Sequence, residues 1–411
     1  PIFFNTVIFL LGFAIRPILL EIFLNQFYRV DWGISDIDYK IFSSKAIILS
    51  QLGMIIYYLA TIFCSNRIHF ADNHNFKDYI NENYLKSFSV YLSTIGLFFF
   101  VIYMIYTNEI NPINFLIKAT TNEKLDGQGS YIFFAASWMY LIGSYGFVTI
   151  MIKKKNKIID YLLIIPIIIS SIFISISFYQ RKWLILYLMG LLKVFQDNTR
   201  KNITLIQLLL FSVIAYLILV ILMLLRNAAS DGFITVDFEI IRFYILKFGF
   251  LSGLLGYFDY FARILHTYEY NYLSNFSYDV FKYFFNSFLP SYIAPFSKGI
   301  SINQIFAQYW GYYSTAPSPA ISVFGELYSI GSILGIIFGM SIFGYISEKI
   351  YKYSILKPNF TNQITYILFL QTFFFSIRTG LISSLVGFII IFVIFYLIKV
   401  LHSYFYKKKL I

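Results

Sequence analysis

Cysteine is almost missing from the 411 residues. The single one, Cys64, rules out a disulfide framework and a cysteine metal site. The four histidines, His69, His74, His266 and His402, are scattered, which argues against a clustered histidine centre, and no metal is expected. Charge is also sparse: Asp, Glu, Lys and Arg together make 13% of the chain, too little to cover the surface of a soluble protein this size. No phosphate-binding P-loop, dinucleotide fingerprint, HExxH or serine-hydrolase elbow occurs, so a nucleotide-driven pump is not expected. No cofactor and no nucleic-acid partner are expected either. There is no cleavable signal pattern, and none is needed where a first apolar helix directs insertion. Because the chain starts at Pro1 rather than Met, some N-terminal residues are expected to precede it.

What the chain has in excess is apolar residues, 59% of the total, in blocks of roughly 20 that match a hydrocarbon core at 1.5 Å per residue. Lipid offers no partner for free backbone groups, so such blocks must be helical. The abundance of Phe (48) and Tyr (36), with much Ile, Asn and Lys, fits an AT-rich genome and is not read as function. The fold expected is all-α, a polytopic membrane helix bundle of about ten transmembrane helices. They are predicted at 2–24, 44–64, 87–107, 130–152, 160–178, 183–196, 203–225, 322–347, 364–377 and 380–402. Three regions follow: N-terminal transmembrane helices over 1–225, a long outer-face region over 226–321 and C-terminal transmembrane helices over 322–411.

Lysine runs set the expected sidedness. Lys153–Lys157, Arg200-Lys201, Lys349 to Lys357 and Lys407–Lys409 fall on one side, which the positive-inside rule makes the cytoplasm. On that topology lysines divide 15 inside and 8 outside, whereas arginines divide 2 inside and 6 outside, with Arg16 inside the first helix. The outward six are Arg29, Arg181, Arg226, Arg242, Arg263 and Arg378, against the rule that should draw them inward. Arginine's planar fork grips phosphate oxygens in pairs, so outward arginines at membrane level suit a lipid-linked phosphate. Anchoring at outer headgroups, or pairing with Asp and Glu, accounts equally for any one of them, though less well for the whole set.

Within the outer region, 233–255 is apolar with a helical rhythm and suits an interfacial helix. Asp259, Arg263 and His266 follow at i, i+4 and i+7, one helical face. That face is either the wet side of an amphipathic helix or an acid, cation and base set turned to substrate. The stretch 284–320, with Pro290, Pro295, Pro317 and Pro319, is expected to be irregular, a lid over an outward cavity. Its Tyr309, Trp310, Tyr312 and Tyr313 fit sugar stacking or an interfacial aromatic belt, and both readings stay open.

From Ser314 to Gly335 the chain reads as a small-residue and proline loop, then Gly325-Glu326-Leu327-Tyr328, then Gly331-x-x-x-Gly335. This segment resembles the C-terminal half of bacterial O-antigen and capsule repeat-unit polymerases, the Wzy family. Gln180-Arg181-Lys182 in a tight outer hairpin, Arg226 after a helix, and Ser376-Ile377-Arg378-Thr379-Gly380 are similar to that family as well. The resemblance implies a GT-C-like, metal-independent glycosyltransferase in the bacterial plasma membrane with its site facing outward. It would polymerise undecaprenyl-diphosphate-linked oligosaccharides, with membrane lipids around it and a chain-length regulator protein as partner. Arg181, Arg226, Arg378 and Arg263 would bind the diphosphate, and Glu326, His266 and Asp259 are the acid/base candidates. Glu326 can also simply favour the dipole of its own helix, although a carboxylate just inside an apolar span is costly filler. The Gly331 to Gly335 spacing is expected to serve close helix packing. Two other functions compete. An O-antigen ligase would use much the same scaffold, and a lipid-linked-sugar flippase is opposed by the long outer region and the lack of repeated halves.

Overall fold

The computed structural model describes residues 36–66, 82–106, 130–154, 158–177, 182–199, 257–270, 306, 310, 321–357 and 359–410. Among these the chain is helical almost throughout: α1 (Asp36–Asn66), α2 (Glu82–Tyr106), α3 (Ser130–Lys154), α4 (Ile158–Ser177), α5 (Lys182–Thr199), α6 (Tyr257–Glu269), α7 (Val323–Leu356), α8 (Phe360–Thr379) and α9 (Leu381–Leu410). Five of them, α1, α2, α3, α7 and α9, are long and apolar enough to cross a membrane. The predicted helices at 44–64, 87–107, 130–152, 160–178, 183–196, 364–377 and 380–402 coincide with α1 to α5, α8 and α9 to within a few residues, except where α1 starts and α9 ends eight residues beyond the expected limits. Those at 2–24 and 203–225, and the interfacial segment 233–255, lie outside the described residues.

Large apolar side chains left exposed mark the lipid-facing stripes. Ile48, Ile55 and Leu59 on α1 and Val393, Leu397, Val400 and Leu401 on α9 repeat at helical spacing, each about half exposed or more. By contrast α8 is mostly buried and carries Gln363, Gln371 and Thr372 inward, which suits an interior position better than contact with lipid.

The described helices group into two compact units. One takes α1, α6, α7 and the 372–388 stretch around the α8–α9 turn. The other takes α2 to α5 with 360–371 of α8 and 389–410 of α9. Apolar burial drives little helix association in lipid, so packing and hydrogen bonds decide. In the second unit Ser89, Ser93 and Gly96 on α2 meet Gly146, Gly143 and Tyr140 on antiparallel α3, where an added Cβ would collide with the facing chain. Gln371 donates to the Leu186 carbonyl at 2.8 Å.

In the first unit α1 and α7 run side by side in the same direction. Gly53 lies against Phe324, Gly344 against the Tyr57 backbone, and the Lys352 ammonium donates to the Cys64 carbonyl at 3.3 Å and to that of Ser65. Those carbonyls belong to the last turn of α1, where orphan acceptors and the negative end of the dipole welcome a cation.

Helix α7 departs from the single span expected at 322–347. Its backbone breaks at Gly331 (φ −152°, ψ 26°) and Ser332 (φ 54°, ψ −142°), and it runs on to Leu356. The chain folds back at the break, so Gly335 packs on the Leu327 carbonyl and Gly339 on the Leu327 side chain. The small residues therefore serve close packing at Gly335, as expected, but Gly331 sits at the break with open space around it.

Candidate functional site

The site builds up around the first eight residues of α7. Ser322 caps the helix: its hydroxyl accepts the Gly325 N–H at 3.2 Å, and its carbonyl accepts that of Glu326 at 2.9 Å. Gly325 admits α6, since a Cβ there would lie 2.7 Å from Ile264 Cδ1. Phe261 of α6 packs on Phe324 and Tyr328, each with ring centroids 6.3 Å apart.

One residue further, about 100° round the helix, Glu326 faces away from Gly325's contact with α6. Its carboxylate, 4% exposed, accepts the N–H groups of Leu381 and of Ile382 (3.0 Å), both on Oε2. These are the first orphan donors of α9, at the positive end of its dipole. The chain enters α9 through Gly380 at φ +94°, a conformation natural to glycine; a Cβ there would come within 2.9 Å of Glu326 Oε2. The Gly325-Glu326 motif and the start of α9, more than 50 residues apart in sequence, are thus joined directly by one carboxylate. The dipole that Glu326 meets through these bonds is that of α9, beyond that of its own helix, which was the alternative to a catalytic role.

Asp259, Arg263 and His266 all lie on α6, but they do not form a wet face. Asp259 is fully buried and accepts the Tyr39 hydroxyl of α1 at 3.3 Å. His266 is half-buried, edge-on to Phe42 (centroids 5.0 Å) and tilted on Tyr270 (4.7 Å). Burial is the largest influence on its imidazole and lowers the pKa from the ordinary 6.5; Asp38 opposes this, Arg263 adds to it and Glu269 opposes it. Lys45 pairs with Glu269 and tightens the same α1–α6 contact. Arg263 turns to Trp310, its guanidinium 4.3 Å from the ring.

The acid/base candidates therefore have separate partners: Glu326 the start of α9, Asp259 the Tyr39 phenol, and His266 an aromatic pocket. Of the arginines, Arg181 and Arg226 lie outside the described residues, and Arg378 is placed only by its backbone, in the last turn of α8. Among the described residues no three His, Cys, Asp or Glu side chains gather closely enough to hold a metal. Sequence reasoning passed over Tyr39 and gave Gly380 no role. The only signal for Gly380 was a glycine opening an apolar run after Arg378-Thr379.

Compared with protein-family models, with curated proteins and with solved structures, the chain matches none.

Proposed function

We propose that this protein polymerises undecaprenyl-diphosphate-linked oligosaccharide repeat units at the outer face of a bacterial plasma membrane. On this reading about ten helices cross the bilayer in a GT-C-like arrangement, and the site opens outward. A hydroxyl of the incoming lipid-linked unit attacks the anomeric carbon of the growing chain. The bond from that carbon to the diphosphate oxygen breaks, undecaprenyl diphosphate leaves with the electron pair, and the hydroxyl proton passes to a base. No nucleotide enters, and fixed arginines, Arg378 and Arg263 with Arg181 and Arg226, meet the charge that develops on the leaving group. Membrane lipids surround the protein, and a chain-length regulator protein is its expected partner.

The observation that carries the reading is the Glu326 bridge. It ties one of the segments on which the polymerase resemblance rests to the start of α9, just after another, and so sets the backbone three residues beyond Arg378. Glu326 serves there as a positioning residue. His266 is the base on this reading, since Glu326 is occupied by the start of α9 and Asp259 by the Tyr39 phenol.

Deletion of the gene followed by gel analysis of surface glycan tests the proposal. A lost ladder with a single repeat unit retained is expected. An intact ladder overturns it. Glycan polymerised but left unattached to lipid A core would favour the ligase.

A further inference from the structure

Two stripes of side chains meet between α1 and α6. Asp38, Phe42 and Lys45 fall at i, i+4 and i+7 of α1; His266 and Glu269 of α6, with Tyr270 just beyond it, fall at i, i+3 and i+4. The Tyr270 hydroxyl donates to Asp38 Oδ1 at 3.4 Å, and its backbone N–H donates to the His266 carbonyl at 3.2 Å. Lys45 pairs with Glu269 and lies 5.0 Å from the centre of the Phe42 ring. The His266 imidazole fits between, edge-on to Phe42 and tilted against Tyr270. Phe42 is buried, whereas the imidazole keeps part of its surface exposed. Among the described residues its contacts are with rings, and none is a hydrogen bond to either of its nitrogens.

We propose that Tyr270, tethered to Asp38, is a positioning residue for His266: with Phe42 it fixes the imidazole plane so that a ring nitrogen meets the attacking hydroxyl of the lipid-linked unit. The inference rests on the reading above, in which His266 is the base. An imidazole base needs a fixed ring, and a hydrogen bond to one of its nitrogens commonly supplies that. Here rings on two sides do the orienting, and neither nitrogen is taken up by it. If the contact only docked α6 on α1, a leucine at position 266 would fill the gap with no polar atoms to satisfy. As the hydroxyl oxygen bonds to the anomeric carbon, its proton passes to the imidazole, which becomes a cation. Burial, the largest influence, opposes that charge; Asp38 of α1 favours it, Arg263 of α6 opposes it, and Glu269 of α6, paired with Lys45, favours it. Asp38 thus both holds Tyr270 and stabilises the imidazolium.

The test uses the full chain in nanodiscs, with elongation of undecaprenyl-diphosphate-linked repeat units measured across about pH 5 to 8. Native protein is compared with His266→Gln, Tyr270→Phe, Tyr270→Leu, Asp38→Asn and the Tyr270→Leu/His266→Gln double variant. Thermal unfolding of each checks the fold. His266→Gln should lower kcat about a hundredfold. Tyr270→Leu should lower kcat about tenfold with KM unchanged, while Tyr270→Phe, which keeps the ring, retains most of the rate. The double variant should be no slower than His266→Gln alone, because the tyrosine acts only through the histidine. Asp38→Asn should move the acid limb of the kcat/KM profile to lower pH, since it removes a charge that favours the imidazolium. A contact that only docks α6 would instead loosen, expose the ring and move the limb to higher pH. Native kcat in a folded Tyr270→Leu, losses that multiply in the double variant, or an Asp38→Asn limb that stays in place or moves upward each overturns the inference. Should Tyr270→Leu fail to fold, the direction of the Asp38→Asn shift decides. No elongation by the native chain overturns the polymerase reading and this inference with it, whereas native elongation beside any of the contrary results leaves that reading standing.

Discussion

The two halves of α7 have similar apolar composition and opposite surroundings. In the first, Val323 to Ile330, Phe324 is fully buried, and even Glu326 and Ser329 are enclosed. In the second, Leu334, Phe338 and Ile342 are each at least 60% exposed along one stripe, while Ile336, Met340 and Phe343 are buried on the other. The residues after Ser332 rise about 36 Å at 1.5 Å each, enough for a hydrocarbon core of about 30 Å, whereas the first eight rise only about 12 Å. One half meets lipid and can span; the other is enclosed by protein and offers a polar group to a neighbouring helix. The difference teaches that hydropathy reports what a segment tolerates and leaves open what it touches. The break at Gly331 and Ser332 marks where the two regimes meet.

The largest effect expected of that contrast comes from neighbouring residues. Gly335→Leu drives a side chain into the Leu327 carbonyl and should cost about 3 kcal/mol or abolish membrane abundance. Leu334→Ala, one residue earlier on the lipid stripe, should change stability by under about 0.5 kcal/mol. Thermal unfolding in detergent compares them, and equal losses would break the contrast.

Next in size is Glu326→Ala, which leaves one buried and one part-buried N–H group of α9 without their acceptor and should cost about 1–3 kcal/mol. Glu326→Gln keeps an acceptor oxygen and should lose clearly less. A smaller effect of opposite sign is expected of Ser332→Gly. Relieving a non-glycine residue at φ 54° should stabilise by about 1 kcal/mol, whereas a helix continuous through this point would be destabilised.

The smallest effect belongs to α6, which covers the enclosed half. His266 has a lowered pKa, so as pH falls from about 6.5 the unfolded chain binds its proton before the folded one does. Its contribution is complete above that pH and is lost as pH falls through the folded value. Native protein should lose slightly more thermal stability than His266→Asn between pH 7.5 and 5.5. An identical loss in both would place the acid sensitivity elsewhere.

Long apolar windows made the helices legible: α2, α3 and α4 were expected within about five residues of their limits, because desolvation of backbone leaves no alternative fold. The break in α7 was hidden, since averaging over a window erases one glycine and one serine. Asp259 looked like part of a wet face on helical spacing alone, and its burial depends on Tyr39, 220 positions away. Glu326 stood out in the sequence as a costly carboxylate in an apolar span, but its partners are backbone groups, and any sequence supplies backbone N–H. The residues that hold functional groups in place were the least visible, because positioning depends on long-range contact rather than residue type.

Polymerisation itself is the most direct test. Purified protein in nanodiscs is given undecaprenyl-diphosphate-linked repeat units, a chelator and no nucleotide sugar, and the products are resolved on gels. The account predicts a ladder of lengthening glycans with release of undecaprenyl diphosphate in equal measure. A single-unit product that extends only when a nucleotide sugar or a divalent metal is added would contradict it.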